Sequence, residues 1–374
     1  MLPGEGRNRR SYRICLHMVD EDTGNAPETA RLDSARRSIR QPSIKDIARL
    51  AHVSHPTVSR ALQNSPLVNP RTAENIRRIA EQAGYHASAV ARGLVTRRSR
   101  TIGLVVTTVA DPFTSEVFSG IEQEAHDRGY CVFLSESNAD PERERQVVRT
   151  FAERRVDGII VTSSRVGALY LPLLSEMMVP IVLVNDQHPG AFVHSVMIRN
   201  QEGSRAATNH LIELGHRRIG FIGDQIGYQS DAERCAGYRE ALEAAGIQFT
   251  PGLVVQGDGK PEAAMSAMDK LLALAHPPTA VCCYNDMTAL GAMRSIRLHG
   301  RRIPEDISIV GFDDLFFASY TQPPLTTVRQ PMRRMGQMAM ESLFNLMSGD
   351  ASEIRIKVEA ELIVRESTAR AKQQ

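Results

Sequence analysis

Residues 43–62 read SIKDIARLAHVSHPTVSRAL, and this stretch decides how the N-terminal part of the chain folds. Ser43 precedes Asp46 by three residues, a capping-box spacing in which side-chain oxygens satisfy amides of the first helical turn. Ile44, Ile47, Ala48 and Ala51 then recur at helical spacing and give one apolar face. A tight turn follows at His52-Val53-Ser54. It calls for a left-handed backbone near His52, a residue that tolerates one better than most. Ser54 is placed to cap a second helix with Pro56 in its first turn, where the missing N–H does little harm. Val58, Ala61 and Leu62 face inward, leaving His55, Thr57, Ser59 and Arg60 outward. Asn69-Pro70 opens a third helix, striped by Ile76, Ile79, Ala80 and Ala83 and ended by Gly84.

Helical spacing alone fits two things: a small bundle with a solvated polar face, or a helix-turn-helix that presents the N-terminal end of its second helix to a major groove. Charge separates them. Residues 36–100 carry 13 Lys/Arg against 3 Asp/Glu, a net of +10, in a 374-residue chain whose formal charge is only +2. Residues 1–35 carry net −1, so residues 101–374 carry net −7. Positive charge gathered on one motif of an otherwise near-neutral chain is what phosphate binding requires.

The segment VSHPTVSRAL followed by SAVARGL resembles the lactose-repressor (LacI/GalR) family of bacterial transcription regulators, and the similarity runs to about Thr368. The resemblance implies that His55, Pro56 and Arg60 read bases while Ser54, Thr57 and Ser59 contact the backbone. Arg60 suits guanine, because a guanidinium donates two bonds to O6 and N7. Pro56 offers only apolar contact, and Gln63 stands where an asparagine is usual. The stretch 88–95 resembles the hinge that becomes helical on DNA and enters the minor groove, with Leu94 as the wedge and Ala91 beside it. Read by local sequence alone, the same stretch is a plain linker. Ala87 replaces a frequent proline, and Gly93 lowers helix propensity by up to ~1 kcal/mol.

From residue 101 onward, short continuous apolar runs predict strands at 102–106, 131–134, 158–161, 181–184, 219–222, 280–283 and 307–312. Amphipathic patterns between them predict helices at 114–128, 142–154, 201–214, 232–245, 261–275 and 286–299. Continuous apolarity fits strands covered on both faces, hence a parallel α/β sheet. The pattern runs twice, which predicts two lobes. Ligands in such folds bind beyond the carboxyl ends of the strands, where Asp111-Pro112-Phe113, Asn185-Asp186, Asn285-Asp286 and Asp313-Asp314 fall. Any one of these Asn or Asp residues also reads as a helix cap.

The resemblance extends to a type I periplasmic-binding-protein-like fold, and implies that Phe113, Asn185, Arg234, Asn285, Asp313 and Gln330 line an effector pocket. Arg234 and Asp313 are expected to orient one another while bonding vicinal hydroxyls, although an Arg–Asp pair of purely structural kind fits too. Gly259 falls where some relatives carry an aromatic platform, and with no Trp in the chain sugar stacking rests on Phe113.

The expected fold class is therefore an N-terminal all-α helix-turn-helix headpiece joined to an α/β two-lobe domain with parallel sheets. The expected division is a disordered arm at 1–40, headpiece at 41–86, hinge and linker at 87–99, and effector and dimerisation domain at 100–370. Within that domain the first lobe takes about 100–198 and 330–348, the second about 199–329 and 349–370.

No apolar run approaches the ~20 residues of a membrane span, and residues 7–19 lack the apolar core of an export signal. Met18 is an alternative start. The five cysteines show no CxxC or metal-ligand spacing, and Cys131, Cys282 and Cys283 fall in predicted buried strands, as reduced thiols in a cytoplasmic protein. GxxxxGK[ST], HExxH and GxSxG are absent, and the glycines between 220 and 227 miss the GxGxxG spacing. His210, His216 and His299 fall at helix ends, as surface or dipole partners. No enzyme activity, cofactor or metal is expected.

The expected function is a DNA-binding transcriptional regulator, a repressor by the commoner family behaviour, controlled by a small polar effector between the lobes. A sugar or sugar derivative heads the effector classes, with a nucleobase or nucleoside as alternative. Expected partners are double-stranded operator DNA, that effector and a second copy of the chain; with no leucine heptad after Thr368 the assembly is a homodimer, off the membrane. Two other classes compete. A solute-binding protein for transport would share the lobes but needs an export signal and gives no reason for a basic headpiece. A sugar- or nucleotide-modifying enzyme would show turnover without DNA binding.

Overall fold

The computed structural model describes residues 42–85, 98–167, 170, 179–188, 194–225, 227–350 and 352–372. The arm at 1–40 and the hinge residues Ala91 and Leu94 lie outside the described residues. The chain divides into two compact units, residues 1–88 and 89–374.

Three helices form the first unit: α1 (Ile44–Leu50), α2 (His55–Leu62) and α3 (Pro70–Gln82). The capping box is present in both directions, with the Ser43 side chain on the Asp46 amide and the Asp46 carboxylate on the Ser43 amide. The half-buried Asp46 carboxyl is consequently held down at about 2, chiefly by the Ser43 hydroxyl and amide. His52 takes the left-handed backbone the turn needs, with φ 53°, and Gly84 does so after α3, with φ 64°. Ile47, Val58, Ala61, Ala73, Ile76 and Ala80 are buried together, with Ile44 and Leu62 packed against them.

The second unit contains two six-stranded sheets. The first lobe is built from β1 (Thr101–Val106), α4 (Pro112–Asp127), β2 (Cys131–Glu136), α5 (Pro141–Glu153), β3 (Gly158–Thr162), β4 (Ile181–Val184) and β5 (His194–Ile198). The second holds α6 (Asn200–Glu213), β6 (Ile219–Asp224), α7 (Gln229–Ala244), β7 (Val254–Gly257), α8 (Pro261–Leu272), β8 (Ala280–Cys283), α9 (Asp286–Leu298), β9 (Ser308–Asp313) and β10 (Thr326–Arg329). The chain then returns to the first lobe with α10 (Met332–Met347) and β11 (Ile354–Val358), and re-enters the second with β12 (Glu361–Ile363).

Strand order is β11-β5-β4-β3-β1-β2 in one sheet and β12-β10-β9-β8-β6-β7 in the other. Every neighbouring pair is parallel except β10–β12. Strand alternation sends Ile102, Leu104 and Val106 to the face covered by α4 and α10, and Val105 to the face covered by Val148 and Phe151 of α5. The second sheet is covered likewise, by α8 and α9 on one face and α6 and α7 on the other.

Three sequence expectations need correction. β11 pairs with β5, so 354–358 belongs to the first lobe, not to the second as the division at 349 had it. Its alternating sequence IRIKV carries no buried run to reveal its sheet, and only the pairing partner decides. β2 is an edge strand with Cys131 exposed, whereas Cys282 and Cys283 are buried. Burial pushes the Cys282 thiol up to about 12, keeping it protonated. Finally, His216 is buried, bonded to Thr279, Ser308 and the Ala369 carbonyl, so it pins the 367–371 segment rather than facing solvent. Among the described residues no helix is long and apolar enough to cross a membrane.

Candidate functional site

On the headpiece, α2 exposes His55, Pro56 and Arg60 to solvent, with Thr57 and Ser59 half-buried beside them. Ser54 caps the helix. Its hydroxyl meets Thr57 Oγ1 at 2.8 Å, which fixes both side chains at the positive end of the helix dipole. The Arg60 side chain is exposed and makes no hydrogen bond to the described residues, its carbonyl accepting from the Ser65 amide at 2.9 Å. Val58 and Ala61, on the opposite side of α2, are fully buried and hold this face outward.

In the second unit, parallel strands put all their carboxyl ends on one edge of each sheet. Asn185 follows β4, with φ 55°, and Gln187 comes two residues later. Asp224 ends β6, Tyr284 and Asn285 follow β8, and Asp313 ends β9. Arg234 projects from α7 and is 3% exposed. Its Nε donates to Asn200 Oδ1 at 3.0 Å and one terminal nitrogen to the Tyr284 carbonyl. The guanidinium lies 3.7 Å from the Phe312 ring centroid and 4.7 Å from that of Tyr284. Ser230, one turn earlier, meets Tyr284 Oη at 2.9 Å. Gln330 Nε2 donates to Asp313 Oδ1 at 2.6 Å.

The lobes meet along this edge. Gln187 Oε1 of the first accepts from the Ser230 amide of the second at 3.0 Å. The Arg165 guanidinium lies 5.8 Å from the Tyr228 ring centroid. Phe113, 6% exposed on α4, belongs to one apolar cluster with Leu315 from beyond β9. Two buried acceptors here have no hydrogen-bond partner among the described residues, Asn185 Oδ1 and Gln330 Oε1. A buried unpaired acceptor costs about 1–3 kcal/mol, so a pair of them marks a place for donors.

Residues 43–88 match the model for bacterial regulatory proteins of the lacI family, and residues 208–368 that for a periplasmic binding protein-like domain. The HTH-type transcriptional repressor PurR of Aliivibrio salmonicida (strain LFI1238) is 35% identical over 327 residues, spanning 87% of this chain and 98% of that one. The chain belongs to the LacI family. Among solved structures, the lac repressor dimer bound to operator and the anti-inducer ONPF is 28% identical with a TM-score of 0.81, covering 88% of this chain and 100% of that one. A transcriptional regulator CelR–cellobiose complex is 34% identical with a TM-score of 0.67, covering 87% and 99%. This LacI-family chain is thus a transcriptional repressor with a helix-turn-helix and a two-sheet, periplasmic-binding-protein-like domain.

The structure places Arg234, Asn285, Asp313 and Gln330 at the strand-end edge of the second lobe; from the first, Phe113 packs in one cluster with Leu315 and Asn185 follows β4. It differs from expectation in one pairing. Asp313 is held by Gln330 and Arg234 by Asn200, and no hydrogen bond joins Arg234 to Asp313. Asn285 is a helix cap, its Oδ1 on the Thr288 amide at 2.7 Å and its Nδ2 on the Gly259 carbonyl at 3.1 Å. Sequence reasoning missed Ser230, Tyr284, Gln187 and Asn200. Tyr284 and Gln187 sit in the strand-end positions that flagged their neighbours, whereas Ser230 and Asn200 carry no signal beyond ordinary helix starts.

Burial pushes the Asp313 carboxyl up to about 7, against the pull of Arg234 and of the Gln330 hydrogen bond. The folded chain therefore holds a proton there that the unfolded chain has released by about pH 4. Stability from this group is present at low pH and falls as pH rises from about 4 to about 7. Asp313→Asn is expected to flatten that fall by a few kcal/mol at the order-of-magnitude level. Denaturant melts at pH 5 and 7.5 read it: an unchanged difference between the two pH values would place the titration elsewhere.

Proposed function

We propose that this LacI-family repressor binds a pseudo-palindromic operator as a cytoplasmic homodimer, and that a neutral sugar or sugar derivative between the lobes controls its affinity. The observation that carries the effector reading is the presence of unpartnered buried acceptors at strand ends of both lobes, Asn185 Oδ1 after β4 and Gln330 Oε1 on the residue that donates to Asp313. A molecule with several hydroxyls supplies donors to both lobes at once and accepts from the guanidinium. The cellobiose in the complex of a 34% identical regulator supports the same class. Thermal-shift screening of the full chain against neutral sugars, nucleosides and sugar phosphates tests it, because a ligand selective for the native state raises the melting point. Shifts with nucleosides alone would replace the sugar by a nucleobase effector.

Control acts through differential affinity: the effector favours one angle between the lobes, and operator DNA must reciprocally change effector affinity. For DNA reading, His55, Pro56 and Arg60 contact bases and Ser54, Thr57 and Ser59 the backbone, with Ala91 and Leu94 completing the set at the hinge. Arg60→Ala is expected to cost about 1–3 kcal/mol of operator binding and to relax discrimination at one base pair. Gel shifts against single-base operator variants check this, and unchanged selectivity would remove Arg60 from the base-reading set.

The homodimer is supported by apolar side chains left in solvent on the second lobe, Phe316 at 73% and Tyr320 at 83% exposure. Tyr320→Asp is expected to yield monomers in sedimentation velocity and to weaken operator binding at least tenfold. A Tyr320→Asp protein that still sediments as a dimer would put the interface elsewhere.

A further inference from the structure

Glu144 takes no part in the site above, yet it is a buried carboxylate, 1% exposed, near the start of α5. It accepts from Ser164 Oγ, Tyr170 Oη and the Arg165 amide, the last at 3.2 Å. Ser164 Oγ accepts in turn from the amides of Val166 and Gly167 at 3.2 and 3.1 Å. These bonds close residues 164–167 into one fixed turn beyond the end of β3.

That turn is locked to the loop after β4. The Ser164 carbonyl accepts from the Gln187 amide at 2.8 Å. Gly167, at φ 49°, lies so close to His188 that a Cβ added there would come within 2.3 Å of the histidine Cβ. Two of the cross-lobe contacts leave from these two loops: Gln187 Oε1 to the Ser230 amide, and Arg165 toward the Tyr228 ring. Both partners stand at the start of α7, the helix that carries Arg234 one turn later.

We propose that Glu144 is a positioning residue for lobe closure, acting from behind the cleft by fixing the turn that sets Gln187 and Arg165 against the start of α7. A buried carboxylate with three donors is costly to disturb, so the turn has one favoured shape. Burial also pushes its carboxyl upward, opposed by the Ser164 and Tyr170 hydrogen bonds. The inference rests on the reading of this domain as two lobes whose angle is regulated.

Amide hydrogen exchange resolved at Ser230, in the full chain without effector, tests it. Gln187→Ala removes the acceptor directly and is expected to speed Ser230 exchange about tenfold or more. Glu144→Ala is expected to do the same from a distance, with Glu144→Gln, which keeps one carbonyl acceptor for Ser164 and Tyr170, falling between. A merely structural role would raise exchange within 141–170 and leave Ser230 at its wild-type rate, which would overturn the proposal. If Glu144→Ala does not fold, Glu144→Gln decides by the same criterion, with threefold at Ser230 as the threshold. Unchanged Ser230 exchange in Gln187→Ala would also overturn it, while leaving the effector reading to stand or fall on the thermal-shift screen.

Discussion

Gly336→Ala is expected to destabilise the effector domain by about 3 kcal/mol or more, although alanine is the better helix former by about 1 kcal/mol. The reason lies in the crossing of α4 and α10. A Cβ at Gly336 would stand 2.2 Å from the Val117 carbonyl oxygen, and one at Gly120 would stand 2.0 Å from the Arg333 carbonyl oxygen. Each helix thus presses its backbone onto the other's glycine. Side chains on both helices then reach the sheet: Val117 and Ile121 from one, Met335, Ala339, Met340 and Leu343 from the other. Backbone cannot move aside as a flexible side chain can, so the helices must separate and open that shared layer. Urea melts read the effect. A Gly336→Ala chain as stable as the parent would mean that the two helices do not touch in solution.

Arg234→Ala is expected to abolish the response to effector, lowering effector affinity a hundredfold or more while sparing operator binding by the headpiece. The guanidinium lies between the Phe312 and Tyr284 rings and bonds Asn200 and the Tyr284 carbonyl, so its position is set before any ligand arrives. Preorganised, charge-assisted donors of this kind are the strong ones. Removal also leaves Asn200 Oδ1 and the Tyr284 carbonyl short of a donor, at about 1–3 kcal/mol for each buried acceptor. Some loss of melting temperature therefore accompanies the loss of response. Gel shifts with and without a sugar that stabilises the parent chain provide the readout, and a normal response in Arg234→Ala would take the residue out of the pocket.

How much of this was legible in the sequence depends on whether the deciding interaction is local. The headpiece was, because its capping box, His52 turn, Ser54 cap and Asn69-Pro70 start all act within four residues. Central strands were legible too, since β4 and β8 are apolar throughout, β3 is apolar up to Thr162, and all three are buried throughout. Three of the four edge strands were not. β7, β11 and β12 are short and none is buried throughout, so only their hydrogen-bonded neighbours say which sheet they join. In the candidate site, the strand-end positions of Asn185, Asn285 and Asp313 were readable from the apolar runs before them, but a partner chosen across 34 residues, as Asn200 is for Arg234, leaves no local trace. The same holds for Gly120 and Gly336, whose contact spans two distant helices.

The threading of the chain back and forth between the lobes has a bearing on biosynthesis. When β10 leaves the ribosome the second sheet has five of its six strands, while the first still lacks α10 and β11 at 332–358. The lobe begun earliest is therefore completed late, and β12 finishes the other only after it. A nascent polypeptide halted near residue 330 would expose the apolar face that α10 covers, so translation must pass β11 for the one half and β12 for the other before either can be soundly built.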